Sequence, residues 1–336
     1  MKSIQILKAG LLSTIQDQGR WGYLDVGVPI CGAMDTLSAY IANLAVGNNR
    51  QAAVIEITQA YFQFFSLEPL IICFSGAGKA MVDGQEIQMD SPVFIPEDAL
   101  VELKDTGEGS RTYLAVEGGW DVPKVLGSRS TCLVGHFGGF EGRALKEGDK
   151  LNAAKYCDSQ KSLQTFIKWK NDGPVKTVGW RVAKNQFLSP SKIPVIRFIK
   201  GKEWDWFSEQ TLQQFLTREF QISPQGNRIG LRIDGPKMDR KTQEELLSTA
   251  VSMGTVQVNH NGQLMVLMAD AQTTGGYPRI AQIASVDLPL LAQLRPGSRF
   301  RWKEISAFEA EKLYIYWEKE LTKLQTAINV QFSIKL

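Results

Sequence analysis

The apolar runs of this chain are short, and most end in glycine or Asp-Gly; no other feature restricts the fold as much. Leu70-Ile71-Ile72-Cys73-Phe74 runs into Ser75-Gly76-Ala77-Gly78, and Ala80-Met81-Val82 into Asp83-Gly84. Thr112-Tyr113-Leu114-Ala115-Val116 precedes Gly118-Gly119, and the run Pro194 to Ile199 precedes Lys200-Gly201. Met1 to Lys8 reads as one more short alternating strand. Strands this brief, with such punctuation, favour barrels or sandwiches over a βαβ array.

Three segments carry helical patterns instead. Asp35 can cap a helix over Thr36 to Val46, with Leu37, Tyr40, Ile41 and Leu44 on one face and Gly47 as terminator. Glu209 to Phe220 groups Leu212, Phe215 and Leu216. Ser306 and Glu309 form a capping box, followed by Tyr314, Trp317, Leu321, Leu324 and Ile328 at three- and four-residue steps. That stripe can serve a partner or pack on the chain's own barrel, and the second use is the commoner one.

At 336 residues the chain exceeds the usual size of one domain. The polar, lysine-rich stretch Lys155 to Gly173, together with Gly179 to Ser191, reads as the region joining two halves. That places one domain at residues 1–188 and a second, carrying the last helix, at 189–336. Lys168-Trp169-Lys170 inside that region reads as exposed linker rather than a base-stacking platform.

Charge and the scarce reactive residues exclude several function classes. A net charge of +3, from 38 basic and 35 acidic residues, gives no electrostatic case for nucleic acid or an anionic membrane. No apolar window approaches the roughly 18 residues a spanning helix needs. The widely separated Cys31, Cys73, Cys132 and Cys157 suit a reduced cytosolic compartment. With only His136 and His260, no metal ligand set is expected, and no Gly-x-Ser-x-Gly elbow supports a serine triad. His260, in Asn259-His260-Asn261-Gly262, reads as plain surface in a hairpin turn.

Ser75 to Ala80 has the look of a phosphate loop, but it lacks the first glycine and the Ser or Thr after Lys79, and a strand follows. Lys237-Met238 is half a biotin attachment site without the flanking Met.

Four other constellations suit a small anion. The first, Asp270 to Arg279, follows an apolar run and combines Asp270, Gln272, Thr273, Thr274, Gly275, Gly276, Tyr277 and Arg279. Adjacent glycines permit positive φ and a close ligand approach, and spare amides with the threonines and Arg279 offer donors. The plain reading of these ten residues is a Gly-Gly hairpin turn with polar edges. The second is Thr14 to Gly22, where Asp17 and Arg20 either pair to fix a loop or present the guanidinium to a carboxylate. Ser223 to Arg232 supplies Asn227, Arg228 and Arg232, and Gly127 to Thr131 sets hydroxyls around Arg129. Clusters of this kind without a nucleophile–base pair suggest binding of a compact carboxylate or amide and give no evidence of covalent catalysis.

Across these segments the chain resembles the family called allophanate hydrolase subunit 2, also the biotin-dependent carboxyltransferase family, whose bacterial members include the C-type subunit of 5-oxoprolinase. The resemblance also runs through Gly32-Ala33-Met34-Asp35, Glu117-Gly118-Gly119-Trp120, Gly138-Gly139 with Gly142-Arg143, and Gln293 to Gly297. It implies a mainly β fold of two cyclophilin-like β-barrel domains with a few peripheral helices.

It also implies pairing with a companion B-type subunit, similar to allophanate hydrolase subunit 1, and with a separate A-type subunit. The reaction it implies is ATP-dependent opening of 5-oxo-L-proline to L-glutamate. ATP would bind on another subunit, since this chain has no phosphate loop, and no cofactor would be attached covalently. Two further activities are known in the family: carboxyl transfer from carboxyl-biotin to a urea-like amide, and regulatory binding of the companion. Carried over by position, Asp270, Arg228 and Tyr277 stand nearest the chemistry. Asn227, Arg232, Gln272, Thr273, Thr274, Gly275 and Gly276 would bind substrate, with Asp17, Arg20 and Arg129 as weaker candidates. The chain has Gly226 where a serine is usual and Leu231 where an aromatic is usual.

Overall fold

A computed structural model describes residues 2–154, 167–184, 187, 191–242 and 244–333. The chain divides into two compact units: Met1–Arg20 with Cys31–Lys184 and Leu321–Leu336, and Trp21–Ile30 with Asn185–Glu320. The fold is mainly β, as the sequence implies.

The first unit contains two six-stranded sheets. One runs β11 (Lys150–Asn152), β1 (Ser3–Ala9), β4 (Phe62–Ser66), β9 (Leu100–Lys104), β6 (Lys79–Val82), β7 (Gln85–Glu86). The other runs β12 (Lys176–Thr177), β8 (Val93–Ile95), β5 (Leu70–Gly76), β10 (Arg111–Val116), β3 (Val54–Thr58), β2 (Leu12–Gln16).

Strand alternation explains why β5 is apolar throughout. Leu70, Ile72 and Phe74 enter a core shared with Ile4, Phe62, Phe64 and Val101 of the facing sheet. Ile71 and Cys73 point to the other face and pack with Ala39, Ala42 and Ala45 of helix α1 (Thr36–Ala45). That helix starts where expected: Asp35 accepts from the Ser38 N–H at 2.9 Å and from the Ser38 hydroxyl at 2.6 Å. Lys79 opens β6 and bridges Glu86, so the phosphate-loop look-alike is the connection from β5 of one sheet to β6 of the other.

Trp169 does not hang in solvent. It meets Phe94 edge-on with ring centroids 6.2 Å apart. Residues 155–166 of the expected linker lie outside the described residues.

The second unit is a closed barrel of β13 (Val195–Lys200), β20 (Arg279–Ile283), β17 (Thr255–Val258), β18 (Leu264–Leu267), β15 (Gly230–Asp234), β14 (Glu219–Ile222) and β21 (Arg299–Glu304). A short pair, β16 (Thr249–Ala250) with β19 (Thr274–Gly275), stands beside it. Helix α2 (Glu209–Thr217) ends before Phe220, which belongs to β14. The reason is an aromatic cluster: Phe215 stacks on Trp302 at 5.2 Å and also meets Phe220 at 5.7 Å. Both phenylalanines are buried there, which a continued helix would not allow.

Helix α3 (Leu288–Gln293) has no clear sequence signal; six residues with a proline near the start give too little periodicity to read. Helix α4 (Ala307–Ser333) begins on the expected capping box, with reciprocal Ser306–Glu309 hydrogen bonds of 2.8 and 3.2 Å. Its Trp317, Leu321 and Ile328 are buried, whereas Tyr314 is exposed.

Candidate functional site

Asp17, Arg20 and Arg129 fall in the first unit, and the remaining candidates in the second. In the first, the loop after β2 meets the Gly127–Thr131 turn through Asp17. Its carboxylate accepts from the Ser128 and Ser130 hydroxyls, both at 2.6 Å, and from the Gly19 and Arg129 amides. Arg20 is not its partner, contrary to the expected Asp–Arg pair. The guanidinium instead donates from Nη2 to the Ser130 carbonyl and lies over the Phe137 ring at 4.8 Å.

Arg20 is 1% exposed, and its Nε and Nη1 meet no acceptor among the described residues. A side chain at Gly138 would put its Cβ 2.3 Å from the Ser130 carbonyl oxygen and 2.8 Å from Arg20 Nη2, so only glycine fits there. Nearby, Glu56 accepts from the Met34 amide and the Tyr113 hydroxyl, each at 2.8 Å. Burial pushes the Tyr113 phenol well above its usual range, and the charge of Glu56 adds to that. This network fixes the Gly32–Asp35 turn ahead of α1.

In the second unit the segments 227–232 and 270–279 are brought together. Arg228 and Asp270 form a two-pronged ion pair, Nε to Oδ2 at 2.9 Å and Nη2 to Oδ1 at 2.8 Å, with side chains 3% and 2% exposed. The Asp270 amide also donates to the Arg228 carbonyl at 2.9 Å. A carboxylate held this way is occupied, so in this state it is an anchor rather than a ready proton acceptor. Asn227 uses its side-chain oxygen to cap the Ile229 and Gly230 amides, and Arg232 reaches Gln225.

The di-glycine segment departs from the hairpin reading. Neither Gly275 nor Gly276 takes positive φ. Gly275 pairs with Thr249 across β16 and β19. A Cβ there would lie 2.6 Å from the Gln257 amide nitrogen, and one at Gly276 would lie 3.1 Å from the Leu246 carbonyl oxygen. Close packing, against the movable end of Gln257 at Gly275 and against backbone at Gly276, rather than a tight turn, favours small residues here. Gln272 and Thr274 are exposed, and Thr273 accepts the Val251 amide at its carbonyl. Arg279 is committed to Glu203 by two bonds of 2.8 Å. Burial alone would raise the Glu203 carboxyl, but its bonds from Arg279 outweigh that and hold it below the ordinary value.

Beyond this segment lies an open cleft of about 390 Å³, walled by Arg240, Glu245, Leu246, His260, Gly276 and Tyr277. Only Gly276 and Tyr277 of that wall stand out in the sequence; Arg228 and Asp270 are not part of it. His260 is exposed, as a turn residue should be, but the turn between β17 and β18 sets its ring edge-on to Tyr277 at 5.2 Å. Nothing in the local sequence around Arg240, Glu245 or His260 signals that meeting. A loop pairing through β16 and a hairpin turn bring them there. The cleft offers a cation, a carboxylate, a phenol and an imidazole without a nucleophile–base pair, which suits binding and polarising a small polar molecule.

Residues 26–304 match the family description carboxyltransferase domain, subdomain A and B. The chain is 38% identical over 310 residues to the C-type subunit of 5-oxoprolinase from Escherichia coli, spanning 92% of this chain and 93% of that protein. It is 33% identical over 320 residues to the C-type subunit of 5-oxoprolinase from Haemophilus influenzae, spanning 92% and 94%. The crystal structure of the K. lactis urea amidolyase superposes with a TM-score of 0.85 at 26% identity, covering 96% of this chain and 20% of that one. The chain belongs to the carboxyltransferase family defined by subdomains A and B.

Proposed function

We propose that this chain is a C-type subunit of an ATP-dependent 5-oxoprolinase, opening 5-oxo-L-proline to L-glutamate together with B-type and A-type companions. The observation that carries the reading is end-to-end similarity: 38% identity spans nearly all of this chain and of a protein named as the C-type 5-oxoprolinase subunit. No helix among the described residues is long and apolar enough to cross a membrane. The buried Cys31, Cys73 and Cys132 support a reducing, cytoplasmic setting for the complex.

Amide resonance makes a lactam carbonyl a poor electrophile at neutral pH. ATP, bound on a companion, would supply the phosphoryl group that turns the carbonyl oxygen into a leaving group. The contribution of this chain is to hold the lactam and to place donors where charge develops on oxygen, each worth about 3–4 kcal/mol when well aimed. Of the three candidates nearest the chemistry, Tyr277 is the one that lines the cleft. Thr274 and Gly275 form the short strand that leads to it, flanked by Thr273 and Gly276, and Gln272 precedes them. Arg228 and Asp270 act as positioning residues, pinning the start of that strand to the turn held by Asn227 and to Arg232 on β15. Asp17, Arg20 and Arg129 brace the first unit, where the open donors of Arg20 suit an anion.

The test is reconstitution. The chain alone should show neither ATPase nor lactamase activity, and addition of both companions should release glutamate from 5-oxoproline in step with ATP hydrolysis. Strong activity from the chain unaided, or no glutamate from the assembled complex, would refute the reading. A second reading, carboxyl transfer from carboxyl-biotin to a urea-like amide, draws support from the family description and from the urea amidolyase superposition. It predicts carboxylation of urea in the presence of a biotin-charged carrier, and no glutamate.

A further inference from the structure

We infer that the cleft formed by Arg240, Glu245, His260 and Tyr277 is a subsite for a compact ring carboxylate bearing an adjacent N–H donor, with Arg240 and Glu245 reading its two ends. The inference deepens the lactam-opening reading and rests on it for the choice of ligand. Arg240 is only half-buried, yet its Nε is buried and meets no acceptor among the described residues. Its Nη2 donates to the Glu244 carbonyl, and the guanidinium lies over Trp206 at 5.5 Å. A guanidinium over an aromatic ring in the wall of the cleft can donate to a carboxylate oxygen.

Glu245, also in the wall, is acceptor-only when ionised and so suits an N–H rather than a second carboxylate. The Leu246 carbonyl, which an added Cβ at Gly276 would meet at 3.1 Å, is a second acceptor on the same side. Tyr277 is 39% exposed, and its ring is set against the His260 imidazole at an interplanar angle of 80°. Its hydroxyl can donate to a carbonyl oxygen. A carboxylate, an N–H and a carbonyl on one small ring match the three kinds of group the wall presents. A dicarboxylate would place its second charge against Glu245.

The chain contains only His136 and His260, so histidine side-chain NMR of the full-length protein, labelled at histidine, reports this cleft almost alone. Titration with 5-oxoproline should move the His260 resonances saturably and leave those of His136 in place. Arg240→Lys keeps a cation over Trp206, and Tyr277→Phe keeps the ring against His260. Each should weaken the apparent Kd by about tenfold or more, the usual cost of one charge-assisted or oriented hydrogen bond. Glu245→Gln should weaken 5-oxoproline but not cyclopentanecarboxylate, which has the ring and acid but no N–H.

A silent His260, or wild-type binding by both Arg240→Lys and Tyr277→Phe, would overturn the assignment. Equal binding of the two ring acids by the unmodified chain would do the same. His260 shifts from a chain whose assembled complex releases no glutamate would keep the subsite and remove the lactam-opening reading. Glutamate release with His260 unmoved would do the reverse.

Discussion

Arg228 and Asp270 show how much a single contact can decide here. Two buried charges in bidentate geometry tolerate each other, but either one left alone is costly. Asp270→Ala or Arg228→Ala should therefore lower unfolding stability by about 3–5 kcal/mol, read by denaturant titration. The double change to apolar residues of similar volume should recover much of that loss. Equal and small losses in both single variants would show that the pair is not the anchor.

Acid should expose a second set of contacts. Bonds from Arg279 hold the Glu203 carboxyl low against the upward push of burial, and bonds from Arg143 do the same for Asp149. A depressed folded value means that the stabilisation is complete above the unfolded carboxylate range, near about 4, and drains away as pH falls through the folded value. The melting temperature should thus fall on acidification below about pH 4. Glu203→Gln should lower it at neutral pH and make the acid-side fall shallower.

At the scale of elements, the parts legible in the sequence are those with local causes. Asp35 and Ser306 announce their helices because a cap is a contact between residues three apart. Replacing Asp35 with Ala should cost about 1–2 kcal/mol, towards the upper end because the cap is buried, whereas Asp35→Asn should cost less; thermal melts of the two would decide it. The strands at Leu70–Gly76 and Arg111–Val116 are equally plain from their apolar runs and the glycines behind them. The end of α2 is not, because Phe220 fits a helical face and a barrel strand alike, and only the cluster around Trp302 selects between them. Asp17 takes partners that its spacing does not suggest, for a similar reason. Arg20 is three residues away and visible, whereas Ser128 and Ser130 lie more than a hundred residues on. Residues 227–232 and 270–279 meet through the Arg228–Asp270 pair, but the cleft wall contributed by Arg240, Glu245 and His260 has no sequence signal, since tertiary pairing alone puts it there.

At the scale of the whole molecule, neither unit is a single continuous stretch of sequence. Trp21–Ile30 belong with the second unit, and Leu321–Leu336 with the first. Within the first unit, Phe332 packs on Trp180 at 6.1 Å, and Tyr40 bonds Gln325. Residues 1–188 produced alone would therefore lack the stretch that covers Trp180 and Tyr40. We expect that fragment to melt lower than the corresponding transition of the intact chain, and supplying 307–336 as a peptide should raise its melting temperature. A fragment melting at the intact value would show that the returning segment adds little.

That returning segment also sets a timetable for biosynthesis. A ribosome delivers the first unit's sheets early and its closing helical turns last, after the entire barrel of the second unit has emerged. The nascent first unit must wait with Trp180 and Tyr40 uncapped, so slow translation or premature termination late in the message leaves its hydrophobic flank open to aggregation.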